Sequence, residues 1–345
     1  MAASVAASRQ AARPAGADAV EGPDMSQSFI AAVVQDSPVV FDRAATIEKA
    51  VALIGAAAAR DAELIVFPEA FVSAYPKGLD FGARIGTRAA SGRDDFARYF
   101  DSAIEVPGAE TRLLGAAARE AGAHLVIGVI ERGGATLYCT VLFFSPEGDL
   151  LGKHRKLMPT AMERLVWGFG DGSTMPVFDT GLGRLGAVIC WENYMPLMRT
   201  AMYAKNIQLY CAPTADDRDS WGPSMIHVAL EGRCFVLSAC QYLTRADCPK
   251  DYAAIQGDEP ETVLMRGGSC IVSPLGEMLV APDFSGPGIF THLIDMGEIA
   301  RAKYDLDVTG HYARPDVFRL YVNEKPMPAV VNTLGEEEAD PFAAE

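Results

Sequence analysis

The stretch GAVICWENYMPL, Gly186 to Leu197, decides how this chain is read. Ala187, Val188 and Ile189 make the short apolar run of a buried strand. The run ends at Cys190 and passes at once into Trp191, Glu192 and Asn193. Pro196 then opens a helical stretch to about Lys205. Strand, polar turn and helix form one unit of a layered α/β protein. Cys190 itself reads two ways. A free cysteine after an apolar run is commonly an inert core thiol. A thiol that closes a rigid strand at the mouth of a polar turn can also be a nucleophile.

The same alternation extends in both directions. Phe29–Gln35 reads as a buried strand, and residues 43–60 carry Ile47, Val51, Ile54 and Ala58 at the spacing of one helical face. Glu63–Phe67 is a second short apolar run, stopped by Pro68. A helix over 109–121 precedes two paired strands, His124–Ile130 and Thr136–Ser145, closed by the turn at Pro146 to Asp149. Beyond Cys190, IQLYCAP is a strand, SMIHVALEGRC a helix and FVLSACQ a strand. SCIVSPLGEMLV is a hairpin, GIFTHLIDM a late strand, and a helix follows near 297–304. Two long polar loops are expected, about 77–100 and 244–266, of the kind that carries function or an interface. No fixed-period repeat is visible.

Bulk properties narrow the function. With 345 residues and a 50% hydrophobic fraction, the chain can bury a large core. Its 30 basic against 45 acidic residues give a net charge of −15, which argues against nucleic acid or an anionic membrane as partner. No apolar run reaches the roughly 18 residues that span a bilayer. The seven cysteines include no CxxC pair, and no compact Cys/His cluster suggests a metal. Free thiols in a reducing cytoplasm are expected. Residues 1–25 lack an apolar signal core and read as a disordered extension, with a transit peptide as the alternative, residues 26–310 as the folded domain, and 311–345 as a tail that ends in a disordered acidic stretch from Gly335.

Two further segments hold polar residues beside strands. In IVFPEAFVSAYPKG, Glu69 follows the strand directly, where α/β enzymes build their sites, although a lone Glu there is ordinarily a surface carboxylate. In GKHRKLMPTAMERLVWGFGDGS, the cluster Lys153, His154, Arg155 and Lys156 leads into Trp167 and three glycines. A basic run is ordinarily a solvated face; here it precedes an aromatic, Gly-rich segment in an acidic protein. If the three segments converge, Glu69 can take the Cys190 proton and Lys156 can stabilise developing negative charge. A Cys–His pair using His154 or His227 is the rival arrangement.

At this point the residues match a family. FPEAFVSAYPKG, KHRKLMPTAMERLVWGFGDGS and GAVICWENYMPLMRTAMYAKNIQLYCAPTAD resemble the three signature blocks of nitrilases, in the carbon–nitrogen hydrolase superfamily. The resemblance covers about residues 28–326 and is similar to plant-type nitrilases and their bacterial relatives. It implies an α-β-β-α sandwich with Glu69 as general base, Lys156 as catalytic lysine and Cys190 as nucleophile. It also implies Glu163 as a second glutamate that keeps the site polar and aligned. Tyr75, Trp167 and Trp191 are expected to bind substrate. The implied reaction turns an organic nitrile into an acid and ammonia without metal or organic cofactor. An amidase or carbamoylase would use the same triad, and a non-catalytic scaffold is the reading from another class. Thr160-Ala161-Met162 departs from the Thr-His found before the Glu-Arg pair in many microbial members, which leaves substrate range open.

The resemblance further implies self-association, as a dimer built up into a spiral or filament. Two stretches are candidates for the contact. Met198, Met202 and Tyr203 form a soft apolar helix face, which covers either its own sheet or a neighbour. Tyr312, Phe318, Leu320 and Tyr321 make an apolar tail that is costly to leave wet.

Overall fold

Successive side chains of a strand point to opposite faces, and this alternation builds the layers. In Ser28–Gln35, Phe29, Ala31 and Val33 join one buried cluster while Ala32 and Val34 join another. The computed structural model describes residues 27–331. The expected disorder of residues 1–25 and of the acidic terminus from Gly335 onward concerns residues outside that range.

In chain order the first half comprises β1 (Ser28–Gln35), α1 (Arg43–Ala58), β2 (Ala62–Val66), β3 (Ala83–Arg84), β4 (Thr87–Arg88), α2 (Ala90–Ser102), α3 (Ala109–Ala121), β5 (His124–Gly133), β6 (Thr136–Phe144) and β7 (Leu150–Arg155). The second comprises β8 (Val177–Thr180), β9 (Gly183–Ala187), α4 (Pro196–Ala204), β10 (Leu209–Cys211), α5 (Trp221–Gly232), β11 (Phe235–Ser238), β12 (Tyr242–Thr244), β13 (Val263–Arg266), β14 (Cys270–Val272), β15 (Met278–Val280), β16 (Gly288–Asp295) and α6 (Gly297–Ala302). Two six-stranded sheets result, ordered β16-β1-β2-β5-β6-β7 and β15-β14-β11-β10-β9-β8.

The sheets pack face to face. Phe29, Val33, Leu64 and Val126 of the first meet Leu185, Leu209, Leu237 and Ile271 of the second in one buried cluster. The outer face of the first sheet is covered by α1 and α3, through Ile47, Ile54, Leu114 and Ala118. The outer face of the second is covered by α4 and α5, through Met198, Met202, Trp221 and Met225. The order of layers is α-β-β-α, as the resemblance implied. Helix α1 starts where Asp42 accepts a hydrogen bond from the Ala45 N–H, and α3 stops at Gly122, whose φ of 62° suits the left-handed region.

Several expectations need correction. Residues 77–100 are not one long loop: they hold the β3–β4 hairpin and most of α2, whose short apolar face (Phe96, Tyr99, Phe100) was diluted by charged neighbours. Within 244–266, β13 returns antiparallel on β12. The helix face of Met198, Met202 and Tyr203 lies against its own sheet, so it is not free for a neighbour. The strand into Cys190 is regular only to Ala187, with Val188 and Cys190 still bonding to the adjacent chain through Cys211 O and Pro213 O.

The basic cluster is the edge strand β7, and alternation divides its residues. Lys153 and Arg155 point to one face and bind the buried carboxylate of Glu131 at 2.5 and 2.6 Å. His154 points to the other and is wholly buried. Lys156, one residue past the strand, is turned into the protein.

Candidate active site

Parallel neighbouring strands end at one edge, so polar residues that follow them converge there. Glu69 follows β2, Cys190 follows β9, Thr214 follows β10, and Lys156 follows the edge strand β7. All four are buried.

The carboxylate is delivered by a backbone turn that lies close over β5. A Cβ at Gly128 would overlap Pro68 O, Ala70 N and Glu69 Cα, so glycine is needed for this approach. Gln241 donates to the Glu69 carbonyl at 2.8 Å. Lys156 Nζ binds Glu69 Oε1 at 2.6 Å and Glu163 Oε2 at 2.8 Å. Glu163 is set by the Thr160 N–H, which donates to Oε2 at 2.6 Å, and by the Tyr75 hydroxyl, which donates to Oε1 at 2.7 Å. Trp167 closes the wall. Its ring lies 5.5 Å from Lys156 Nζ, meets Tyr75 edge to face, and its indole N–H donates to Tyr99.

Cys190 opens a 3-10 turn, Cys190–Tyr194, with a φ of 49°. The left-handed region costs an L-residue roughly 1–2 kcal/mol, so the turn must be held from several sides. Cys190 N donates to Pro213 O at 2.9 Å. Asn193 Nδ2 donates to the carbonyls of Val188 and Cys190. Glu192, wholly buried, accepts from Ile189 N at 2.8 Å and from Leu157 N at 2.6 Å, and meets His154 Nε2 at 3.0 Å. This carboxylate therefore ties the cysteine turn to the segment that carries Lys156. The Thr214 hydroxyl donates to Cys190 Sγ at 3.2 Å.

Ionisation follows from burial and neighbours. Burial raises the Glu69 carboxyl, against the lowering effect of Lys156, and the balance lies above the ordinary value. Burial alone would lower Lys156, but Glu69 and the other acidic neighbours outweigh it and hold the ammonium well above the usual lysine range. Burial and the Glu69 charge push the Cys190 thiol up, with Lys156 opposing. The resting site thus holds Lys156 between the carboxyl groups of Glu69 and Glu163, beside the Cys190 thiol.

The rival histidines do not fit a Cys–His pair. His154 has one ring nitrogen on Glu192 and the other on the Thr174 carbonyl. His227 lies on α5, mostly exposed, 3.8 Å from Glu231. Of the residues expected to bind substrate, Tyr75 and Trp167 line a cavity of about 300 Å³ that also reaches Glu163, Phe81, Met162 and Gln256. Trp191 directly follows Cys190 in its turn and does not line that cavity; its indole N–H is on Asp216 at 2.8 Å and Arg218 lies over its ring. Thr214, Glu192 and Asn193 were not singled out from the sequence. Thr214 had a signal, since it is polar and directly follows the apolar run IQLYCAP, whose strand pairs with that leading to Cys190.

Residues 30–304 match the carbon-nitrogen hydrolase family. The chain is 63% identical over 303 residues to an aliphatic nitrilase of Sinorhizobium fredii, covering 88% of this chain and 98% of that one. It is 53% identical over 314 residues to a bifunctional nitrilase/nitrile hydratase of Nicotiana tabacum, covering 90% of each. Among solved structures, Nit3 of Saccharomyces cerevisiae, a member of branch 10 of the nitrilase superfamily, aligns with a TM-score of 0.64 at 22% identity, over 85% of this chain and 99% of that one. At that identity the likeness speaks for the fold alone.

Proposed function

The chain belongs to the carbon–nitrogen hydrolase family as a nitrilase, hydrolysing organic nitriles to the carboxylic acid and ammonia, and we propose that it does so through a covalent intermediate on Cys190. The observation that carries the mechanism is the buried ladder Glu69–Lys156–Glu163 beside a buried thiol at a strained turn. Cys190 Sγ attacks the nitrile carbon while its proton passes to Glu69, whose Oε2 has no hydrogen-bond partner among the described residues. The nitrogen takes up a proton with the help of Lys156, giving a thioimidate. Water adds, ammonia leaves and a thioester remains. A second water, activated by Glu69, releases the acid and restores the thiol. Expulsion of the thiol in place of ammonia releases the amide, and the double name of the tobacco relative supports that side path. Glu163 fixes the lysine between two carboxylates, and Tyr75 and Trp167 wall the substrate side.

The test is mass spectrometry of the enzyme during turnover of a nitrile panel, with ammonia, acid and amide measured together. A substrate adduct on Cys190, and no ammonia from Cys190→Ala with native circular dichroism, is the expected result. An adduct on another cysteine, with Cys190→Ala active, overturns the assignment.

Self-association belongs to the same proposal. Tyr312, Phe318 and Tyr321 are 68, 79 and 83% exposed on the single chain, an apolar load that supports burial against a second copy. Part of the tail is held by its own subunit, through Glu324 on Lys205 and the Met327 N–H on Asp171. Truncation after Gly310 should shrink the particle in analytical ultracentrifugation and lower activity with it; an active, full-size truncated particle excludes this role. The seven cysteines are all free and buried, which supports a reducing compartment such as the cytoplasm.

A further inference from the structure

Cys139 lies on β6 among the inward-facing residues and reads from sequence as a core thiol. Its surroundings are not those of an inert thiol. Its Sγ donates to Glu69 Oε1 at 3.4 Å, and its carbonyl accepts the Lys156 N–H at 2.8 Å. One strand residue therefore contacts both charged partners of the site. Glu69 is bonded unevenly as a result. Oε1 receives Lys156 Nζ and Cys139 Sγ, while Oε2, equally buried, receives no hydrogen bond among the described residues.

We propose that Cys139 is a positioning residue for Glu69: its thiol shares Oε1 with Lys156, fixes the carboxylate rotamer, and leaves Oε2 as the oxygen that takes the proton from Cys190. The inference rests on Glu69 being the base. An acceptor already holding two donors is the poorer proton acceptor, so uneven bonding selects the basic oxygen. A thiol suits the place. It donates only weakly, so it orients the carboxylate without suppressing its basicity as a second strong donor would. Burial and the nearby Glu69 charge also push the Cys139 thiol well above the ordinary range, so it stays protonated and a donor.

The effect is read in the acid limb of the kcat/KM pH profile, which reports the free enzyme's base. A hydrogen bond to the charged form favours that form, so its loss moves the limb to higher pH. In Cys139→Ala and Cys139→Val the limb should rise, with kcat down about three- to tenfold, as expected for one weak bond to a charged group, and KM little changed. Cys139→Ser keeps a donor and should leave the limb at or below the wild-type position. Val refills the volume and supplies the donor-free arm even where Ala fails to fold. The inference is overturned if the limb stays put in Val, or if Ser moves it up as Val does. Glu69→Gln separates this from the parent reading. If Glu69→Gln turns over normally, the base itself is misassigned. If it is inactive while the Cys139 variants leave the limb in place, only the role of Cys139 fails.

Discussion

The two sheets are built to one plan, yet they contribute different chemistry. In the first, β1, β2 and β5 run parallel, with β16 antiparallel on one side and β6 and β7 antiparallel on the other. In the second, β9, β10 and β11 run parallel, with β8 on one side and β14 and β15 on the other in the same senses. Corresponding strand ends nevertheless carry different residues. Cys190 follows β9, whereas Gln35 ends β1 and ties neighbouring backbone, donating to Asp283 O and Gly286 O and accepting from Ser269 N. Glu69 follows β2, where the matching β10 offers the neutral Thr214. Lys156 follows β7, where the matching β15 leads to Pro282. The first half supplies the charged groups that meet at Lys156, and the second supplies the thiol with its hydroxyl donor, on a turn held by Glu192. A shared scaffold thus sets where side chains converge, and the residues at the strand ends decide what they do there.

The comparison is broken most severely on the charged side. Glu69→Gln and Lys156→Met should each lower kcat/KM by about 10²–10⁴-fold, the usual worth of a positioned acid–base group. Steady-state kinetics with unchanged circular dichroism checks this. A near-normal rate in either variant would mean that the charges of the first half are structural.

The next effect falls on the bond between the halves. Glu192→Ala removes the acceptor of Ile189 N and Leu157 N and leaves His154 buried without its carboxylate. Breaking a buried pair in this way costs roughly 3–5 kcal/mol. The loss should show as a lower urea midpoint, together with lower activity as the Cys190 turn loosens. If only activity falls, Glu192 acts in the chemistry and not as a tie.

A pH dependence sharpens the same point. Burial alone would lower the His154 pKa, but Glu192 and the Thr174 carbonyl outweigh it and raise it. A raised folded-state pKa adds stability that is fully present below the unfolded value of about 6.5 and is lost as pH rises through the folded value. Wild-type urea midpoints should therefore fall as pH is raised across that window, and the slope should flatten in Glu192→Gln. An unchanged slope in that variant assigns the dependence to another group. The smallest effect is expected at His227, exposed on α5. His227→Ala should change stability by no more than about 0.5 kcal/mol and leave turnover unaltered. Loss of activity there would revive the Cys–His arrangement.

Much of the fold was legible because apolar periodicity records which face of an element is covered. The strands at Phe29, Glu63, His124 and Thr136, and the helices at 43–60 and 109–121, read clearly for that reason. Elements at the margins did not. The β3 and β4 strands have two residues each, α2 carries charged residues between its few apolar ones, and β7 carries Lys153 and Arg155 outward on an edge, so its composition resembles a solvated run. In the site, the signature blocks pointed to Glu69, Lys156, Glu163 and Cys190, and the fold brings the first three into direct contact. Periodicity alone could not have shown this, because the partners lie far apart along the chain.

By itself the sequence determined the α/β alternation, the large core and, through its signature blocks, the family, all of which depend on local pattern or on long contiguous motifs. Only the tertiary structure decided which buried polar groups meet. It turned the basic run into two faces, gave His154 to Glu192 and Lys156 to Glu69, and made Cys139, one of seven buried thiols, a neighbour of the carboxylate. The physical reason is range. Periodicity is set by contact with one covering layer and repeats every few residues. Hydrogen bonds and ion pairs act over about 3 Å between groups as distant in sequence as Glu69 and Lys156, 87 residues apart.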